Sequence, residues 1–125
     1  MEVQMEVVGL YIVSKKQRKQ IEELKNRIIK DGHDLLEENE FIGKAELESL
    51  RYQVAKGRIE KIYVYSPDDL SEKFADQIKL VREFHQAGAE VIFLKHETKG
   101  LISSLLWKSQ WAMEKYKHAM EWQIS

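Results

Sequence analysis

Val7-Val8-Gly9-Leu10-Tyr11-Ile12-Val13 contains no charged residue and is rich in β-branched and aromatic side chains, which suit a pleated backbone. A strand with one wet face alternates polar and apolar residues, whereas an unbroken apolar run suits a strand covered on both faces, as in parallel sheets flanked by helices. The region Val3 to Val13 is therefore expected to hold the central strand. Ser14 then opens a helical pattern with Ile21, Leu24, Ile28 and Ile29 on one face, closed by Asp31-Gly32.

The same alternation continues outward from this first unit. A short strand is expected around Leu35 to Ile42, then a helix after Gly43 that buries Leu47, Leu50, Val54 and Ala55 and ends at Gly57. Ile59 to Tyr65 reads as another buried strand. Ser66-Pro67-Asp68-Asp69 has the composition of a helix start with proline in the first turn, and Phe74, Ile78, Val81 and Phe84 continue that helix to Ala87-Gly88. Val91 to Leu94 supplies one more strand. Strands alternating with helices predict an α/β fold with a mostly parallel sheet of four to five strands and flanking helices.

From Lys99 or Gly100 to about Gln123 there is no proline and no further glycine. Ile102, Leu105, Leu106, Trp111, Met113, Tyr116 and Met120 recur there at three- and four-residue spacing, which predicts one long amphipathic helix over about residues 99–123. At about 1.5 Å per residue it extends roughly 30 Å or more, farther than a small sheet covers. Its apolar stripe is expected to meet a second chain, the alternative being that it folds back as a covering layer. Trp107, Trp111 and Trp122 fit such a helix-helix interface better than base stacking.

With 125 residues, 43% hydrophobic and 33% charged, the chain is expected to form a single domain over residues 1–125. It contains no cysteine, which excludes disulfides and thiolate metal sites and agrees with a cytoplasmic location. No stretch reaches the roughly 18 apolar residues of a membrane span, and the start lacks the pattern of a signal peptide. A net charge of -1 argues against nucleic-acid binding by bulk electrostatics. His33, His85, His96 and His118 lack metal-ligand spacing, and no metal or cofactor is expected.

Three blocks, Gly9 to Ser14, Gly57 to Ser71 and Arg82 to Leu94, together resemble the catalytic domain of the serine recombinases, the resolvase and invertase family. The resemblance spans nearly the whole chain and is strongest from Lys44 to Leu94. It implies a flavodoxin-like sheet, a long last helix used for dimerisation and, in active members, a serine that attacks a DNA phosphodiester and forms a phosphoserine bond. Ser14 stands at the nucleophile's place. The family's separate DNA-binding region would follow the long helix, where this sequence leaves no room for it, so sequence-specific DNA binding is not expected.

The departures from the family pattern are chemical. Active members carry an arginine two residues before the serine; here that place is Ile12, unless the arginine has been deleted between Ile12 and Val13. A second arginine corresponds to Lys44, which keeps a charge but not the planar fork that pairs with two phosphate oxygens. The pattern Asp-Arg-Leu-Ser-Arg appears as Asp68-Asp69-Leu70-Ser71-Glu72, with acids at both arginine places. Phosphoryl transfer depends on cations that stabilise the phosphate oxygens as charge shifts. One such cation at about 4 Å is worth roughly 4 kcal/mol at an effective dielectric of 20. Replacing it with an acid reverses the sign, and about 1.4 kcal/mol is already a factor of ten in rate.

The expectation is therefore an inactive recombinase-like domain that works by association with itself or another protein, for instance a related recombinase or another mobile-element protein. Ser14 and Gln17 also fit the Ser-x-x-Gln capping box, and Ser66 to Asp69 fits a capped helix start more readily than a Mg²⁺ site built from Asp68, Asp69 and Glu72. Lys15, Lys16, Arg18 and Lys19 form a basic cluster that either contacts phosphate or is a solvated helix start. Two rivals follow: an active recombinase or nicking enzyme using Ser14 with Lys44, and a weak, salt-sensitive nucleic-acid module.

Overall fold

The computed structural model describes residues 6–95. In it β1 (Val8–Ile12), β2 (Glu40–Ile42), β3 (Lys61–Val64) and β4 (Glu90–Phe93) form one sheet in the order β2-β1-β3-β4, with every pairing parallel. Three helices connect them: α1 (Arg18–Lys30), α2 (Leu47–Ala55) and α3 (Phe74–Gln86). The α/β fold with a parallel sheet is as expected, and β1 lies in its interior. The long helix of residues 99–123, with Ile102, Leu105, Leu106, Trp111, Met113, Tyr116 and Met120, lies outside the described residues.

The pleat of β1 divides the core in two. Val8, Leu10 and Ile12 pack with Tyr63 against Leu24 and Ile28 of α1. On the opposite face Tyr11, Ile62, Val64, Val91 and Phe93 pack against Leu50 and Val54 of α2 and Ile78, Val81 and Phe84 of α3. Every β1 residue is buried, which explains its unbroken apolar sequence. Each fully buried Leu or Ile in these layers contributes about 1.5–3 kcal/mol relative to exposure. Gly9 permits close approach within the sheet, since a Cβ there would meet Ile59 Cδ1 at 3.3 Å.

Several local expectations are corrected. Helix α1 starts at Arg18 rather than Ser14, because residues 14–17 form a turn in which the Gln17 amide donates to the Ser14 carbonyl. Ile29 is 69% exposed, so the buried stripe of α1 is narrower than its apolar residues suggest. Ala55 is likewise exposed. The strand expected from Leu35 contracts to β2, preceded by a 3₁₀ turn at Glu37–Asn39. Pro67–Asp69 forms its own 3₁₀ turn, and α3 begins separately at Phe74.

At the far end of the sheet, Asp31 caps the C-terminus of α1, where the helix dipole disfavours an acid. It is held there by the Tyr63 hydroxyl, which donates to Asp31 Oδ2 at 2.7 Å, and by Arg27 Nε at 3.1 Å. The Tyr63 hydrogen bond, with Arg27 beside it, holds the Asp31 carboxyl below its ordinary value. Tyr63→Phe is expected to destabilise the domain by about 1–2 kcal/mol in urea unfolding at neutral pH. Because the folded pKa of Asp31 is lowered, that contribution is present above its ordinary value near 3.8 and disappears as pH falls through the folded value, so the two proteins should converge in acid.

Candidate functional site

Beyond the C-terminal ends of β1, β2 and β3, the chain leaves a cleft of about 1010 Å³. Open α/β sheets place their sites at this edge, because the connections there diverge to helices on opposite faces. Tyr11 and Val13 enter from β1 and its end, Lys44 from the turn after β2, and Tyr65 and Ser66 from the end of β3. Leu47 and Arg51 of α2 and Phe74 and Gln77 of α3 form walls. Gly43, at φ 114°, makes the turn that delivers Lys44, a conformation that favours glycine. Its amide donates to the Ile12 carbonyl at 2.8 Å.

Lys44, Asp68, Asp69 and Glu72 are brought together in this lining. Asp69 is only 6% exposed. The Ser66 amide and hydroxyl both donate to Asp69 Oδ2, at 3.1 and 3.2 Å, and Gln17 Nε2 donates to Oδ1 at 3.4 Å. Burial nevertheless raises the Asp69 pKa, assisted by the neighbouring Asp68 charge and opposed by the Gln17 and Ser66 hydrogen bonds. Burial, followed by the Asp69 charge, likewise raises the Tyr11 hydroxyl. Among the described residues the lining holds three bases, Lys44, Arg51 and Lys73, against four acids, Asp68, Asp69, Glu72 and Asp76. Arg51 is already engaged by Glu83 in a paired contact at 2.7 and 2.8 Å, with Glu48 at 2.8 Å.

Ile12 and Ser14 stand elsewhere. Ile12 is fully buried in the α1-side core, while its neighbours Tyr11 and Val13 line the cleft. Side chains two apart on a strand share a face, so an arginine two places before a serine reaches the same side as that serine only if the pleat continues between them. Here Ile12 points away from the cleft. Ser14 is not among the cleft-lining residues: the Ser14 hydroxyl accepts from the Lys16 amide at 3.2 Å, and the Ser14 amide donates to Gln17 Oε1 at 3.1 Å. Only the Gln17 half of the expected capping box is therefore made, and it closes a turn rather than capping α1. Lys15, Lys16, Arg18 and Lys19 are exposed on that turn and the first turn of α1, beside cleft residues Gln17 and Gln20.

Sequence reasoning overlooked Tyr11, Gln17 and Gln77 as cleft residues. The available signals were a polar-tipped aromatic inside an apolar strand and a glutamine on the buried stripe of α3. Gln77 is 1% exposed, and its Nε2 donates to the Ser71 carbonyl at 2.7 Å and to Asp68 Oδ1 at 3.3 Å.

Comparison with known proteins agrees with this architecture. The family model for the resolvase N-terminal domain matches residues 11–120. The structure is similar to the N-terminal catalytic domain of TP901-1 integrase, with TM-score 0.64 and 20% identity, covering 93% of this chain and 99% of that one. It is also similar to the first open reading frame of transposon ISC1904 from Sulfolobus solfataricus P2, with TM-score 0.52 and 15% identity, covering 98% of this chain and 89% of that one. No curated protein matches the chain.

The buried carboxyl makes a measurable prediction. With its folded pKa raised, Asp69 favours the folded state below its ordinary value near 3.8 and loses that advantage as pH rises through the folded value. Asp69→Asn, which can still accept from Ser66, is expected to be more stable than the parent at neutral pH in urea unfolding. The gain should vanish in acid.

Proposed function

This chain belongs to the resolvase N-terminal domain family, and from that premise we propose that it is a serine-recombinase-like domain that has lost strand exchange and acts by protein association. The observation that supports this reading is the cleft: its lining includes Asp69, which is buried, and Glu72, and the family resemblance assigns both positions to arginines. Such a lining repels a phosphodiester where an active site must attract one. The position of Ser14, whose hydroxyl is engaged by the Lys16 amide, further supports loss of the nucleophile's role. Lys44 and the Lys15, Lys16, Arg18 and Lys19 cluster remain as residual phosphate contacts, consistent with weak DNA binding at most.

Association is assigned to the apolar stripe carrying Ile102, Leu105, Leu106, Trp111, Met113, Tyr116 and Met120, with a second copy or a related recombinase as partner. Among the described residues no helix is long and apolar enough to cross a membrane. With no cysteine in the sequence, we assign its action to the cytoplasm.

Two measurements test the proposal. In a DNA-cleavage assay the chain alone should be inactive and Ser14→Ala should change nothing, whereas an active relative mixed with it should be inhibited. A covalent DNA adduct on Ser14 in the absence of a helper would overturn the reading. In sedimentation experiments the chain should form a dimer or a heteromer. Trp111→Ala should weaken that association by about 2 kcal/mol, which is roughly thirty-fold in the dissociation constant.

A further inference from the structure

The lining of the cleft contains more than its acids. Tyr11 is fully buried and Gln77 is 1% exposed, and among the described residues the Tyr11 hydroxyl and Gln77 Oε1 are buried without a hydrogen-bond partner. For Gln77 the amide orientation follows from its surroundings. Its Nε2 faces two acceptors, the Ser71 carbonyl and Asp68 Oδ1, so the oxygen must be the end left over. Buried polar atoms are almost always paired, and an orphaned acceptor in a cleft wall calls for a donor. Asp69, in the same lining, is an acceptor whose charged form burial disfavours. Gln77 Oε1, the Tyr11 oxygen and the carboxylates of Asp69 and Glu72 are all complemented by a group that only donates and carries positive charge.

Three chemistries supply such a group: a metal ion, an ammonium and a guanidinium. Among the described residues no three His, Cys, Asp or Glu side chains are placed to hold a metal ion. An ammonium is a point charge that needs a compact cage, whereas the acceptors here come from β1, the Pro67–Asp69 turn, the loop that follows it and α3. A guanidinium offers five donors in one plane and is less strongly hydrated, so it suits a wider, partly apolar cleft walled by Leu47, Phe74 and Leu80.

We propose that this cleft receives an arginine side chain of a partner protein, held by Gln77 Oε1, the Tyr11 hydroxyl, Asp69 and Glu72. The inference deepens the association reading and rests on it: the place where the family pattern puts arginines of its own becomes a socket for an arginine from outside. Among the described residues Lys44 and Lys73 carry the remaining positive charge of the lining, which disfavours polycations and suits an arginine standing beside an acidic or neutral neighbour.

The test is a nuclear magnetic resonance titration of the full chain with a capped Gly-Arg-Gly peptide, alongside Gly-Lys-Gly, Gly-citrulline-Gly and MgCl₂. The arginine peptide should give saturable shifts in the amides of Ser66 and of residues 68–72 and in the Gln77 side-chain amide, with the lysine peptide at least about tenfold weaker and citrulline silent. Asp69→Asn should weaken the arginine peptide by about tenfold, and Glu72→Gln, at an exposed position that the fold does not need, by a few-fold. Equal response to the arginine and lysine peptides, a Mg²⁺ response at the same amides without an arginine response, or unchanged affinity in both variants would overturn the socket. Sedimentation of the same variants separates the two readings. Association that persists while the arginine response is absent leaves the association reading standing and removes only this one.

Discussion

The pleat of β1 is the constraint on which the rest of the molecule depends. As an interior strand paired to β2 on one side and β3 on the other, it cannot rotate, and its side chains must alternate between two helical layers. Tyr11 therefore faces α2, α3 and the cleft, whereas Val8, Leu10 and Ile12 face α1. One residue more or less between Tyr11 and Ser14 exchanges those faces for everything beyond. Position 12 thus belongs to the hydrophobic core, and Ser14 falls in a turn stitched by Gln17 and Lys16.

The cleft that remains is built as carefully as the core around it. Asp69 occupies a place where an exposed acid would suffice for capping, yet it is buried and collects hydrogen bonds from Ser66 and Gln17. Burial of a carboxyl without a cation is unfavourable, and the three hydrogen bonds offset part of that cost. Arg51, the one guanidinium in the lining, is directed to Glu83 and Glu48, where it ties α2 to α3. Because both partners of the Arg51–Glu83 contact are partly exposed, solvent screening keeps the pair's contribution to stability modest. Its effect on the cleft is larger, since it removes a charge that could have met a phosphate.

Much of this was legible in the residues. The unbroken apolar character of residues 7–13 announces a strand covered on both faces, and the recurrence of strand and helix patterns announces the parallel sheet. The acids at 69 and 72 are visible as acids. Their arrangement was not: periodicity treats Pro67 to Gln86 as one helix, whereas the chain breaks into a 3₁₀ turn and a separate α3, and that break lets Asp69 turn inward and Gln77 reach back to Ser71. Ser14 was legible as a capping residue by composition, but the turn it closes precedes the helix instead of beginning it.

From its sequence alone the chain determined the α/β class, the interior place of β1 and the acidic character of positions 69 and 72, because hydrophobic pattern and charge are local properties of the residues. Only the tertiary structure decided that Ile12 faces away from the cleft, that Ser14 is not among its lining residues, and that Tyr11 and Gln77 end there with oxygens unpaired among the described residues. Those facts depend on strand parity and on which distant segments meet at the sheet's edge, and neither is written in any single stretch of the chain.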